Sequence, residues 1–395
     1  MPDGGDPARI RVIESLAEVP AATWDACAGV ENPFVSHAFL EALESSGSAT
    51  AKTGWLPQHV LIEDESGRLL GAAPMYLKNH SYGEYVFDHG WAAAFERAGG
   101  NYYPKLQAAV PFTPVTGPRL LLHPDASERT ADALVAALIE VARAHKVSSL
   151  HVTFPRHEEW TRLGAAGFLQ RQGQQFHWEN RGYQSFDEFL AALNSRKRKQ
   201  IRRERRDALE GGIEVETLTG RDLAPKHWDA FYRFYCATTD RKWGGGYLTR
   251  EFFDLLHERM ADRVVLIVAK KNNRYVAGAL NLRGSDTLFG RNWGCLGDFP
   301  FLHFELCYYR AIDFAIEHGL KRVEAGAQGA HKIQRGYLPT QTYSAHWIAD
   351  RNFANAVADF LRRERRALEA EMEELEAELS PFRREADPRT AEEPT

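Results

Sequence analysis

Residues 321–348, KRVEAGAQGAHKIQRGYLPTQTYSAHWI, decide how the rest of the chain reads. Arg322 to Ala325 has β character, and Gly326, Ala327 and Gly329 follow it. His331, Lys332 and Arg335 then fall on a short helical turn that Gly336 and Pro339 end, and Gln341 to Ile348 reads as a strand again. Small residues let a backbone approach a ligand closely. A glutamate, a glutamine, a histidine and two cations beside them make this stretch the candidate site.

Part of the stretch has a second copy. Gly167, Phe168, Leu169, Gln172, His177 and Trp178 match Gly336, Tyr337, Leu338, Gln341, His346 and Trp347 at a constant offset of 169 residues. VLIEDESGRLLGAAP (residues 60–74) and VLIVAKKNNRYVAGAL (residues 265–280) both read as strand, turn, strand. The period is too long for a solenoid and points to duplication of about half the chain. Gly336 to Trp347 is therefore shared scaffold, and residues 324–335 are what the second copy alone carries.

A chain of 395 residues suits two domains, and 44% hydrophobic with 26% charged residues is a globular composition. A net charge of −5 argues against a general nucleic-acid binder. Four cysteines without CxxC spacing point to a reducing compartment, and no apolar run reaches membrane-spanning length, so a cytoplasmic protein is expected. The boundaries expected are 8–180 for a first domain, 181–350 for a second, 351–380 for an amphipathic C-terminal helix and 381–395 for a disordered tail.

Each half reads as helices, an antiparallel strand set, then helix, strand, short helix, strand, which is an α+β sheet with flanking helices, twice over. Leu69 to Lys78 reads as one strand, Glu84 to His89 as another, and Phe186 to about Glu210 as one helix with Ser185 and Glu188 as its capping box. That helix holds RKRKQIRRERR (residues 196–206), eight basic residues in eleven. Arg198, Lys199, Arg202 and Arg203 are its candidate phosphate contacts. The alternative is pairing with the acidic last helix, whose Leu361, Leu368, Met372, Leu375 and Leu379 form a heptad-like stripe. The aromatic and proline-rich segment 91–118 reads as a substrate-facing loop, with Tyr102, Tyr103 and Lys105 as candidate substrate contacts. No zinc spacing, hydrolase elbow or dinucleotide fingerprint is present, and no metal site is expected.

The layout resembles the GCN5-related acetyltransferase fold, and its paired form resembles Fem-type aminoacyl ligases of cell-wall synthesis. NPFVSHAFLEALESSGS (residues 32–48), GAAPMYLKNHSYGEYVFD (71–88), YYPKLQAAVPFTPVTGPRLL (102–121) and EAGAQGAHKIQRGY (324–337) are similar to a bacterial family of N-acyltransferases termed peptidoglycan biosynthesis or recognition proteins. The resemblance implies two tandem acetyltransferase-like domains. It also implies acyl transfer from an acyl-CoA or an aminoacyl-tRNA to an amine, with a cell-wall precursor as one acceptor. The alternative is a recognition protein that binds such a precursor or another phosphate-bearing ligand without turnover. Partners expected are a small-molecule acyl donor, an amine acceptor and, as donor carrier, tRNA; neither DNA nor a membrane span is expected. Segment 294–305, GCLGDFPFLHFE, departs from the loop that cradles coenzyme A pyrophosphate in this fold. Acyl transfer needs a base, donors for an oxyanion and an acid. Glu324 and His331 are candidate bases, Tyr337 the candidate acid, Gln328 an orienting group, and Lys332 and Arg335 candidate grips on a substrate anion.

Overall fold

The computed structural model describes residues 9–243, 245–326 and 329–383. Gln328 and the greater part of the expected tail lie outside the described residues. Among the described residues, fifteen strands divide between two sheets. The smaller sheet runs β1 (Arg9–Ile13), β3 (His59–Glu63), β4 (Leu69–Ala73), β7 (Leu121–Leu122). The larger has eleven strands. Its first-half part is β2 (Trp55–Pro57), β5 (Met75–Lys78), β6 (Lys105–Ala108) and β8 (Ser149–Thr153), joined to β15 (Leu338–Ile348). Then come β9 (Leu169–Glu179), β14 (Arg322–Glu324), β13 (Thr287–Cys295), β12 (Arg274–Arg283), β11 (Val264–Lys271) and β10 (Ile213–Thr219).

The halves exchange strands. β15, from the second half, pairs antiparallel with β8, while β9, from the first half, pairs antiparallel with β14. β9 and β15 also pair with each other, Leu169 opposite His346 and His177 opposite Leu338, with Gly173 opposite Thr342 at the centre. Every one of these positions maps onto its mate through the repeat offset of 169, so a pseudo-twofold axis passes between Gly173 and Thr342. A Cβ on Gly173 would stand 3.0 Å from Thr342 Oγ1, which accounts for glycine at the axis.

Three expected elements come out differently. Pro74 splits the strand expected from Leu69 to Lys78, because proline has no N–H to give to a ladder. β4 therefore stays in the small sheet while β5 crosses to the large one. No strand forms at Glu84 to His89; the chain turns there and enters the helix His89–Arg97. The long basic helix is two helices, Phe186–Ala192 and Ser195–Ala208, because Asn194 accepts a bond from Lys197 N–H and caps the second. Ser185 caps the first, but Glu188 bonds Gln184 N–H, so only half of the expected box forms.

The cores run across the halves. Phe34 meets Phe289 edge-on at 5.3 Å, and Phe39 meets Phe252 at 5.7 Å. The C-terminal helix Arg351–Leu379 packs over β9 and β15, where Glu364 takes both Nε and Nη2 of Arg171. Leu361 buries against Trp91 and Tyr102. Past this helix, Asn194 N–H bonds Pro381 O and Arg383 N–H bonds Ala192 O, which ties the start of the expected tail to the helix break. Among the described residues no helix is long and apolar enough to cross a membrane.

Candidate functional site

β13 and β14 run parallel for three residue pairs, Thr287 with Arg322, Leu288 with Val323 and Phe289 with Glu324. β14 then ends while β13 continues to Cys295, so the sheet opens as a wedge. A bulge between Leu280 and Asn281 widens the β12 side. Glycine is needed at the throat, since a Cβ on Gly290 would lie 3.2 Å from Glu324 O. A cavity of about 100 Å³ fills the wedge, lined by Gly290, Arg291, Trp293 and Ala325 and, from the facing helix, His303 and Tyr308.

Glu324 is the last residue of β14 and is 5% exposed. Burial pushes its carboxyl up to about 7, against the opposing pull of Arg322, the Thr116 N–H that it accepts, and Arg291. Thr116 belongs to the proline-rich segment of the first half. That segment is pinned across the site by Gln175 Nε2 to Pro114 O at 2.5 Å and by Asn32 Nδ2 to Thr116 O at 3.0 Å. Tyr85, also from the first half, interacts with the Arg291 charge. Glu324 therefore lies where the halves meet, with the cavity-lining Arg291 as its electrostatic neighbour.

The turn expected after Gly329 is a 3₁₀ helix, Ala330–Arg335. Its cations are occupied internally. Lys332 Nζ donates to Ala325 O at 2.7 Å and Gly326 O at 3.1 Å, and burial lowers its ammonium to about 8. Arg335 forms a buried bidentate pair with Glu204 at 2.9 and 3.1 Å and stacks over Phe304 at 3.5 Å. Glu204 is the single acid within the basic run of residues 196–206. His331 reaches the surface, and its Nε2 meets Tyr308 OH at 3.1 Å. Burial, then Arg335 and Lys332, lower its basicity. Tyr337 is fully buried, and its OH donates to Tyr308 O at 3.1 Å.

The basic helix packs beside this turn, with Lys197 Nζ on Gln334 Oε1 at 2.9 Å. Arg202 pairs with Asp187, Arg203 with Asp207, and Arg205 with Glu305 and Asp313. Arg198 and Lys199 form no ion pair among the described residues. No described ion pair joins this helix to the acidic C-terminal helix, so the expected alternative pairing is not found. Segment 294–305 holds Asp298 and Glu305 but no lysine or arginine. Glu305, near the start of the helical stretch 302–317, is fully buried against Arg205 and Arg310. Glu305 is thus committed to two arginines inside the fold, and segment 294–305 offers a coenzyme pyrophosphate no basic side chain of its own.

In the first half, Tyr102 and Lys105 are inside the protein, 1% and 0% exposed. Lys105 Nζ donates to Ser81 Oγ at 2.8 Å, to Glu84 at 2.7 Å and to Asp88. Burial alone would lower this ammonium, but Glu84 and Asp88 hold it above its ordinary value. Tyr102 OH donates to Asp88, and half-buried Tyr103 shares a hydrogen bond with Ser81. These side chains knit a buried network and do not line the wedge. Among the described residues no group of three His, Cys, Asp or Glu side chains is arranged to hold a metal.

Three residues at the site have no functional role assigned by the sequence. His177 is placed opposite Glu324 by strand exchange, Thr116 reaches it from the first half, and Tyr308 lines the cavity beside His331. The repeat flags His177, but only as scaffold.

A family profile described as FemAB-like, peptidoglycan biosynthesis/recognition, matches residues 15–384. No curated protein sequence matches the chain. Among solved structures it is similar to FemX, at 12% identity and TM-score 0.54 over 86% of this chain and 98% of that one. It is also similar to the C-terminal domain of a putative lysylphosphatidylglycerol synthetase from Agrobacterium fabrum (11% identity, TM-score 0.54, 88% of this chain and 97% of that one). A conserved protein of unknown function from Bacteroides thetaiotaomicron VPI-5482 follows at 13% identity and TM-score 0.51, covering 86% and 99%. At these identities the likeness is one of fold, that of two tandem acetyltransferase-like units.

Proposed function

The chain belongs to the FemAB-like family of peptidoglycan biosynthesis or recognition proteins, and on that premise we propose that it transfers an acyl or aminoacyl group from an ester or thioester donor to an amine, a cell-wall precursor among the acceptors. One observation carries the reading: Glu324, a buried carboxyl raised to about 7, ends the short β13–β14 pairing where the wedge opens. A group that titrates near neutrality can take a proton from an incoming ammonium and return it to water.

The acceptor ammonium gives one proton to the Glu324 carboxylate, and the free amine attacks the donor carbonyl in the wedge. Beyond Phe289, the edge of β13 that faces β14 has no strand partner among the described residues, and its backbone N–H groups suit the oxyanion. As the tetrahedral adduct collapses, the C–N bond stays, the C–O or C–S bond breaks, and the second nitrogen proton passes to the leaving oxygen or sulfur. Tyr308, lining the cavity and hydrogen-bonded to His331, is suited to carry that proton. It takes the acid role that Tyr337, held by a backbone carbonyl, is poorly placed to fill. Arg198 and Lys199, on the helix beside the turn, suit the phosphates of a donor carrier, which favours a nucleic-acid carrier over a coenzyme whose pyrophosphate meets no basic side chain in segment 294–305.

The test is product formation from acetyl-CoA, a long-chain acyl-CoA and an aminoacyl-tRNA, each with a nucleotide-linked muropeptide as acceptor, read by mass spectrometry. Amide product that disappears in Glu324→Gln supports the reading. Acceptor binding without product from any donor would instead support recognition without turnover.

A further inference from the structure

The pseudo-twofold axis relates two histidine sites that end differently. Through the repeat offset His346 corresponds to His177, and Ser344 to Gln175. In each copy the residue two positions earlier holds the ring: Ser344 Oγ meets His346 Nε2 at 2.9 Å, and Gln175 Oε1 meets His177 Nε2 at 3.1 Å. In both rings Nδ1 is the nitrogen that this contact leaves open. In the first-half site Nδ1 of His346 finds Nδ1 of its cross-strand partner His151 at 2.6 Å. In the second-half site the cross-strand partner is Glu324, and His177 Nδ1, on a side chain 2% exposed, has no hydrogen-bond partner among the described residues. Thr116 Oγ1 is likewise buried and unpartnered, on the residue whose N–H already bonds Glu324.

A buried acceptor without a donor is costly and rare, so two beside one carboxylate call for an explanation. Gln175 accepts from Nε2–H, so Nδ1 carries the lone pair, and burial first, then Arg322 and Lys332, hold the ring neutral with its basicity lowered to about 3. The Thr116 hydroxyl can accept as well. The set is thus one proton-accepting carboxylate and two neutral acceptors.

We propose that Glu324, His177 Nδ1 and Thr116 Oγ1 form the acceptor subsite for a primary amine. A primary ammonium has three N–H bonds: one proton goes to Glu324, and the remaining two N–H groups donate to His177 and Thr116. The nitrogen lone pair is then free for attack. Arg291 and the buried Arg119 both act on Glu324 and disfavour a second cation, which assists loss of the proton. On the same face of the first-half sheet, Lys105 supplies an internal amine to Ser81, Glu84 and Asp88, so that site is closed to an external one.

This inference rests on the transfer reading but is tested apart from it. The full chain with ¹⁵N-labelled histidine is titrated at pH 8 with n-butylamine, N-methylbutylamine and N,N-dimethylbutylamine. His177 resonances are assigned by their loss in His177→Gln. A saturable shift of His177 Nδ1 is expected, with affinity falling about three- to tenfold for each N–H removed. Thr116→Val, which keeps the backbone bond to Glu324, is expected to weaken butylamine by a similar factor and to flatten the series. No saturable shift at His177, equal affinity across the three amines, or an unchanged series in Thr116→Val would overturn the proposal. Amine binding as described with no donor consumed would leave the subsite standing and remove the transfer reading. Product formation whose amine KM ignores both substitutions would do the reverse.

Discussion

Glu324 is where function and stability pull in opposite directions. Its carboxyl ordinarily titrates at 4.5 and is raised to about 7 in the fold, so the folded chain holds a proton that the unfolded chain has released between those values. Stability therefore falls as pH rises from 4.5 to 7, and the full cost, on the order of 3 kcal/mol, persists above 7. Glu324→Gln keeps an acceptor for Thr116 N–H and removes the charge. Urea denaturation should find it more stable than wild type at pH 8 by about 1–3 kcal/mol, with the gain vanishing toward pH 4.5. Transfer should fall about 10²–10⁴-fold in the same protein. Equal stability of the two proteins at pH 8 would mean that the carboxyl is not strained. Glu324 was legible as a candidate because a lone acid ended a β run beside glycines. Its partners were not, since Thr116 and His177 lie 208 and 147 residues away and only tertiary pairing joins them.

At the scale of elements, the basic helix does two jobs that its composition conceals. Glu204, the one acid within residues 196–206, faces inward and anchors Arg335 and Tyr309, whereas the arginines that surround it turn toward solvent or toward Glu305 and Asp313. Removing one member of a buried pair strands the other charge. Glu204→Gln should therefore lower unfolding free energy by about 3–5 kcal/mol, read by denaturant melts. Arg198→Gln with Lys199→Gln should leave the melt unchanged. If these residues grip a donor's phosphates, the double variant should lower the slope of log affinity for tRNA against log salt by about 1–2. An unchanged slope would assign them no part in binding. The charge pattern announced a basic face, but which residue of the run points inward depends on where Asn194 starts the second helix, and the expected continuous helix left that undetermined. Arg335 read as a free grip for the same reason: its partner lies 131 residues earlier, on a helix whose orientation propensity alone does not supply.

At the scale of the molecule, the repeat showed two units, and alternation with glycine stops showed their strands. What it could not show is that each unit closes its sheet with the other's last strand, because identical hydrophobic patterns fit either pairing. The exchange has a testable consequence. Residues 9–180 and 181–383 expressed apart should each give a poorly dispersed amide spectrum, whereas co-expression should give one soluble complex with a native-like spectrum. Independent folding of either piece would mean that the β9–β15 exchange is dispensable. The exchange also places His177 in the second-half site, so an intact pair of units is required for the chemistry proposed. That chemistry stands most directly on one measurement, the pH dependence of single-turnover amide formation by wild type and Glu324→Gln with the donor that yields product. The wild-type rate is expected to rise with pH to a plateau through an apparent pKa of about 7, and the variant to be slow and to lack that step. A wild-type rate independent of pH between 5.5 and 8.5 (roughly the window around a base poised near neutrality), or a Glu324→Gln protein that matches wild type, would contradict it.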